Sequence, residues 1–178
     1  MAEKKTWGLL AEFETPQVIY TACEGVRDEG YRHWDAHTPF PVHGLERAMG
    51  LSASKIPWIV LGMSIFGMVL GFTLQWWTTV IDYPTIVAGK PFFSWPAWIP
   101  VTFELAILMG AFGAVFGMFA LNKLPTFHHP IFNSDRFKAA TDDKFFITIE
   151  ARDPLFDAKK TKKLLQQLGA TNIEEVDE

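Results

Sequence analysis

Two stretches of this chain are almost free of charge, and they limit what it can fold into more than any other feature. Between Lys55 and Asp82 there is no Asp, Glu, Lys or Arg. A helix over 56–81, rising about 1.5 Å per residue, crosses a hydrocarbon layer of about 30 Å with room for tilt. A second apolar run covers 98–121 and holds one ionisable residue, Glu104. Buried helices of soluble proteins rarely sustain such lengths, so the pattern predicts two transmembrane helices.

Aromatic residues mark the ends of both runs. Trp58, Trp76 and Trp77 bracket the first, and Trp95 and Trp98 open the second. Such rings favour the membrane–water interface, which accepts an apolar body and a polar tip together. The intervening segment, 82–97, contains Pro84, Gly89, Pro91 and Pro96, so helix breaks there and the two spans form an antiparallel hairpin. That loop offers only Lys90, while Arg47, Lys55, Lys123, Arg136 and Lys138 lie in the flanks. By the positive-inside rule both termini are expected in the cytoplasm and the loop outside.

Small residues recur one turn apart within the spans: Gly67 and Gly71 in the first, Gly113 and Gly117 in the second. Gly110, with Ala106 and Ala114, extends the pattern on what reads as another face. Small side chains let helix backbones approach closely, which is how helices associate inside lipid. These glycines either pack the hairpin on itself alone or also seat helices of partner subunits.

The flanks read as two halves of one fold. The first half gives a strand over 6–13, a helix over 16–29 and a strand over 31–36. The second gives a strand over 144–151, a helix over 158–168 and a strand over 172–176. Thr15 and Asp157 are placed to cap the helices, and Gly30 and Gly169 to end them. Phe145, Ile147 and Ile149 alternate with Phe146, Thr148 and Glu150, the period of a strand. Strand–helix–strand twice over is the ferredoxin-like, split βαβ order. The expected fold class is thus α+β: a transmembrane hairpin (52–122) inserted into a split cytoplasmic domain made of 1–51 and 123–178. Two helices would lie on one side of a four-stranded sheet; the competing reading is two independent tails. The turn at 39–44 leads into 45–51, a short amphipathic piece expected at the membrane surface. Pro125 and Pro130 stiffen the second connector, and both joins are expected to hold the domain at a set angle to the bilayer.

Little in the chain promises chemistry. A net charge of −4 argues against a nucleic-acid partner. There is no phosphate-binding glycine loop, no nucleophile elbow and no paired-cysteine metal motif. The lone Cys23 lies among Val18, Ile19, Ala22 and Val26 at helical spacing and reads as a small buried hydrophobe rather than a reactive thiol. No histidine falls within a span, so axial ligation of an embedded haem is not expected. A metal site from His37, His43 and His128 is the minority reading beside turn histidines bonded to backbone or headgroups. No cofactor, metal or catalytic residue is therefore expected in this chain, and no activity from it in isolation. The polar start, 1–5, is followed by no apolar run of a signal peptide.

Glu104 alone demands an explanation, because an intramembrane acid is costly and functional by default. Counted from a helix start at 98, it lies towards the outer leaflet. One reading is structural, with its carboxyl protonated or hydrogen-bonded to Thr102, Thr73, Thr78 or a neighbouring subunit. The other makes it a proton relay or a polar group near a quinol site.

Several segments resemble a known family. Thr38-Pro39-Phe40-Pro41-Val42-His43-Gly44-Leu45, Ala48-Met49-Gly50-Leu51 and Ser54-Lys55-Ile56-Pro57-Trp58 look like the D subunit of alternative complex III. So do 95–104, Leu124-Pro125 with His129-Pro130, and 137–153, which includes Asp142-Asp143-Lys144-Phe145-Phe146-Ile147. The resemblance covers essentially the whole chain. It implies a bacterial inner-membrane complex that oxidises quinol and passes electrons to a cytochrome, a copper protein or an oxidase. Haem c and iron–sulfur clusters then belong to partner subunits, alongside two polytopic quinol-binding ones, and this subunit carries no redox centre. The resemblance thus points to an accessory subunit of a respiratory complex. The alternatives are a direct part in proton transfer through Glu104, and a free-standing, membrane-tethered binding domain.

Overall fold

A computed structural model describes residues 5–178; the polar start at 1–4 lies outside the described residues. The chain divides into two compact units, one made of Met1–Ser52 with Phe127–Glu178 and the other of Ala53–Thr126.

The first unit is organised by β1 (Thr6–Phe13). It pairs antiparallel with β3 (Phe145–Glu150) on one side and with β4 (Asn172–Asp177) on the other. β2 (Trp34–His37) pairs antiparallel with β3, giving the order β2-β3-β1-β4. Neither half of the unit pairs its own two strands. Each half supplies one helix, α1 (Pro16–Asp28) and α5 (Ala158–Gln167), with α2 (Leu45–Ala48) following β2. Local chemistry sets their ends. Thr15 Oγ1 accepts from the Val18 N–H at 3.3 Å, with Pro16 at the first helical turn. Asp157 Oδ1 accepts from the N–H groups of Lys159 and Lys160 at 3.0 and 2.9 Å. Gly30 and Gly169 follow at φ +90° and +93°, a left-handed turn that only glycine enters without cost.

One sheet face carries Leu9, Ala11, Phe13, Phe145, Ile147 and Ile149, buried against Ile19, Cys23 and Val26 of α1 and Leu165 of α5. The opposite face is also closed. Leu10, Phe146 and Val176 pack with Ile131 and Ala140, which come from two 3-10 turns, Pro130–Asn133 and Arg136–Thr141. The Phe137 ring stands edge-on to Phe146 and His37, with centroids 5.8 and 5.0 Å away. Ser134 Oγ donates to Glu174 Oε2 at 2.7 Å and Asn133 Nδ2 to the Asp177 carbonyl at 3.0 Å. Residues 130–141, beyond the proline-stiffened connector and unassigned from sequence, are therefore part of this core. That is why both phases of β3 are buried, with Phe146 and Thr148 at 1 % and 2 % exposure.

Two further details depart from expectation. β2 begins at Trp34 rather than 31, because Arg32 and His33 give their N–H groups to Asp153 Oδ2, at 2.6 and 2.7 Å, instead of to a ladder. The piece at 45–51 does not keep its apolar face free for a membrane surface: Ala48 is buried, and Leu45 and Met49 pack on the same core. Arg27 Nη1 holds α2 there by donating to the carbonyls of Arg47 and Ala48, at 3.1 and 3.2 Å.

The second unit is a helical pair. α3 (Ile56–Trp76) continues as a π-helical turn through Trp77–Asp82, and α4 spans Trp95–Leu121. Both are long and apolar enough to cross a membrane, and only 11 % and 17 % of their most apolar windows are buried. α4 starts three residues earlier than the sequence suggested. Pro96 opens it rather than blocking it, since a first-turn residue needs no intrahelical N–H partner.

Asp153 is 4 % exposed and also accepts from the Leu155 N–H at 2.9 Å. Burial alone would raise its carboxyl, but the backbone donors of His33, Leu155 and Arg32 hold it below the usual carboxylate range. Asp153→Ala is expected to cost about 1–3 kcal/mol, by leaving buried donors unpaired. In the intact detergent-solubilised chain, the Arg32 and His33 amides should lose hydrogen-exchange protection. A carboxyl depressed on folding contributes above its unfolded pKa of about 3.9 and stops contributing as pH falls through the lower folded value. The difference between the two proteins should therefore shrink in acid. Equal protection of the two amides at neutral pH would refute the role.

Candidate functional site in the helical hairpin

Gly67 and Gly71 of α3 are buried, as are Gly110, Gly113 and Gly117 of α4. A Cβ on Gly67 would run into the Leu105 backbone carbonyl, and one on Gly71 would come 3.0 Å from Thr102 Cα. From the other side, a Cβ on Gly113 would sit 2.9 Å from Met63 Cβ, one on Gly117 3.2 Å from Ile59 Cγ2, and one on Gly110 against Ser64 Oγ. All five glycines thus lie in a single contact between α3 and α4. Gly110 belongs to it too, whereas its spacing with Ala106 and Ala114 read as another face; those two alanines are half-buried.

Two anchors at the loop end of this contact were passed over in the sequence. Gln75 Nε2 donates across the pair to the Trp98 carbonyl at 3.0 Å and to Thr102 Oγ1 at 3.2 Å, with the Gly71 carbonyl at 3.1 Å. Being uncharged, Gln75 does not interrupt an apolar run. Its signal was position, one turn beyond Gly71 on the gly-lined stripe. Trp98, read as an interface aromatic, is 3 % exposed and stands edge-on to Phe72 and Phe93, with centroids 5.3 and 4.9 Å away. The outer surface bears Trp58, Trp77 and Trp95, at 75 %, 52 % and 54 % exposure. An apolar cleft of 260 Å³ lies beside the contact, lined by Met68, Phe72, Ile99 and Phe103 among others.

Glu104 is exposed on α4, and among the described residues no hydrogen bond or ion pair engages its carboxylate. None of the expected hydroxyl partners turns to it. Thr102 accepts from Gln75, and Thr78 donates to the Leu74 carbonyl at 2.9 Å. With α4 beginning at Trp95, Glu104 lies four residues from the middle of a 27-residue helix, about 6 Å along the axis. It is deeper than a start at 98 implied.

In the first unit, Cys23, His37 and His129 are committed to structure. The Cys23 thiol is fully buried; that burial, with the Asp35 charge adding, pushes its pKa up to about 12. His37 Nε2 lies 3.3 Å from Thr148 Oγ1. Burial holds its ring below the usual imidazole range, Asp35 opposes this and His129 adds to it. His129 Nδ1 accepts from the Ile131 N–H at 3.4 Å and its ring stands edge-on to Trp7. His43 lines an open cleft of 720 Å³ between α1 and the turn before α2, with Tyr20, Glu46 and Arg47. Among the described residues no three His, Cys, Asp or Glu side chains are grouped to hold a metal. The family model for alternative complex III, ActD subunit, matches residues 7–175. No curated protein matches the chain.

Gly67→Ala is expected to destabilise the helical pair by about 1–3 kcal/mol, because the new methyl meets backbone that cannot rotate away. Gly62 has nothing within 4 Å of its ideal Cβ, so Gly62→Ala should be neutral or stabilise by up to about 1 kcal/mol. Gln75→Leu should cost about 0.6–1.7 kcal/mol, the range for hydrogen bonds between helices in lipid. SDS-induced unfolding in mixed micelles measures all three, and an equal effect of the two glycine variants would contradict the contact.

Proposed function

Since the chain belongs to the ActD family of alternative complex III subunits, we propose that it serves a quinol-oxidising respiratory complex as an accessory subunit without a redox centre of its own. Its hairpin packs against polytopic and haem-bearing partners in the bacterial inner membrane, and catalysis resides in those partners. The observation that carries this reading is the division of surface on the hairpin. All five contact glycines are consumed between α3 and α4, while large side chains such as Phe66, Val69, Phe103 and Phe116 remain 53 %, 58 %, 64 % and 63 % exposed. Lipid can cover such a surface, but a subunit of a multi-protein complex has helices of other chains to cover it as well.

The first unit is read as a split ferredoxin-like domain interrupted by the hairpin. The strand order β2-β3-β1-β4, all antiparallel, with one helix following the first strand of each half, supports that reading. One sheet built from residues before and after the two apolar helices also requires both flanks on the same side of any membrane the helices cross. The basic residues of the flanks favour the cytoplasm. In this reading the chain divides into 1–51, 52–122 and 123–178, with the hairpin as the middle segment.

A second reading is favoured by the exposed, unengaged Glu104, which could lie on a proton route or at the edge of a quinol site. Glu104→Gln separates the two. If the chain is accessory, the purified complex should keep its quinol-oxidising turnover and proton release; loss of both with the subunits still assembled would support the relay.

The principal test is extraction in mild detergent with an affinity tag on this chain. Haem-bearing subunits should co-purify, and the isolated chain should contain no haem or iron–sulfur absorbance. Recovery of the chain alone and stable would favour a tethered binding domain and overturn the accessory reading.

A further inference from the structure

The helical pair has one feature it does not satisfy by itself, and it lies on the face of α4 turned from α3. At 3.6 residues per turn, Glu104 stands about a third of a turn round from the stripe of Trp98, Thr102 and Leu105 that meets α3. Ala97 and Ala111 lie one heptad to either side of it, each offset by about 20°. Pro100 and Leu108 lie one turn to either side. All five residues are exposed. This second face therefore combines small residues at Ala97 and Ala111 with a carboxylate near the helix midpoint. Pro100 adds to its polarity, having no N–H to give the Pro96 carbonyl.

Lipid cannot cover such a face without leaving an acid in hydrocarbon, and acids within spans pair with other groups or face the interior of a bundle. The hairpin offers no counterion: the described residues between Lys55 and Lys123 include one basic side chain, Lys90, in the loop. The partner of Glu104 must come from outside the chain. Close approach at Ala97 and Ala111 suits another helix backbone, and a negative carboxylate selects a basic group on it.

We propose that this face docks a transmembrane helix of another subunit that carries a Lys, Arg or His at the depth of Glu104. The proposal rests on the accessory-subunit reading and adds to it which face is used and what chemistry the neighbour brings. Ala97 and Ala111 let the two helices approach, and Glu104 fixes their register.

The test uses the assembled complex, purified through a tag on this chain from cells in which the tagged chain replaces the untagged one. With Glu104 intact, a photocrosslinking amino acid at position 97 or 111 should link to a membrane helix of a different subunit. The linked helix should carry a basic residue about two turns from the cross-link, at the depth of Glu104. Separately, Glu104→Leu should lower the haem retained per tagged chain about threefold to fifteenfold after a detergent wash, the span expected for one intramembrane polar contact. Glu104→Lys should lower it further. Cross-links to lipid, quinone or a second copy of this chain, or to a helix without a basic residue, would overturn the proposal. So would unchanged haem retention by the Glu104→Leu and Glu104→Lys variants. If haem subunits co-purify while positions 97 and 111 link to no membrane helix of another subunit, the docking face is wrong and the accessory reading stands. Recovery of the wild-type chain free of other membrane subunits would overturn both.

Discussion

The backbone of β1 is bonded along both edges, to β3 on one side and β4 on the other, and both of those strands follow the apolar helices in the chain. A central strand with one edge open would leave a row of N–H and C=O groups unpaired, so neither flank is a stable sheet alone. Pairing also sets the faces. With Leu9 opposite Ile149 and Ala11 opposite Ile147, the apolar side chains of β1 and β3 point together towards α1 and α5. A slip by one residue would turn all of them to the other face. The 3-10 turns on that other face add a constraint, because Ile131 and Phe137 fit only over Leu10 and Phe146 in this register.

The helical pair solves a different problem. Between apolar helices in an apolar solvent there is no water to expel, so association rests on close packing and on the few polar bonds available. Five glycines remove the side chains that would hold the backbones apart, and Gln75 adds a bond from one helix to the Trp98 carbonyl of the other. Near the loop the Phe72, Phe93 and Trp98 rings fill what the glycines leave open. Contact by subtraction of side chains in one direction leaves the bulky ones pointing in every other, and most of the helix surface stays uncovered.

Much of this was legible in the residues, for identifiable reasons. Caps such as Thr15 and Asp157, stops such as Gly30 and Gly169, and the absence of charge from 56 to 81 are local signals that owe nothing to distant contacts. What escaped was decided at long range. The start of β2 depends on Asp153, 120 residues from His33, taking two amides out of the ladder. The burial of Phe146 depends on 130–141, which carries no pattern of helix or strand and folds back over the sheet. Gln75 escaped because an uncharged amide leaves an apolar run unbroken, and Trp98 because a tryptophan at a span end fits an interface as readily as a core. Glu104 is conspicuous in the sequence, yet the Thr78 hydroxyl serves the backbone and that of Thr102 serves Gln75.

The interleaved order of the strands has a consequence for synthesis. When His37 leaves the ribosome, β1 and β2 both exist, but they are not neighbours in the sheet and have nothing to zip onto. Their partner β3 arrives only after both apolar segments, a delay of about 5–20 s at ordinary elongation rates. Through that interval Leu9, Phe13 and Ile19 have no completed core to enter. Closure of the sheet then requires the chain to end, after its second apolar helix, on the side of any membrane where it began. A chain in which β3 and β4 could not reach β1 would keep an open sheet edge, a template for pairing with other chains.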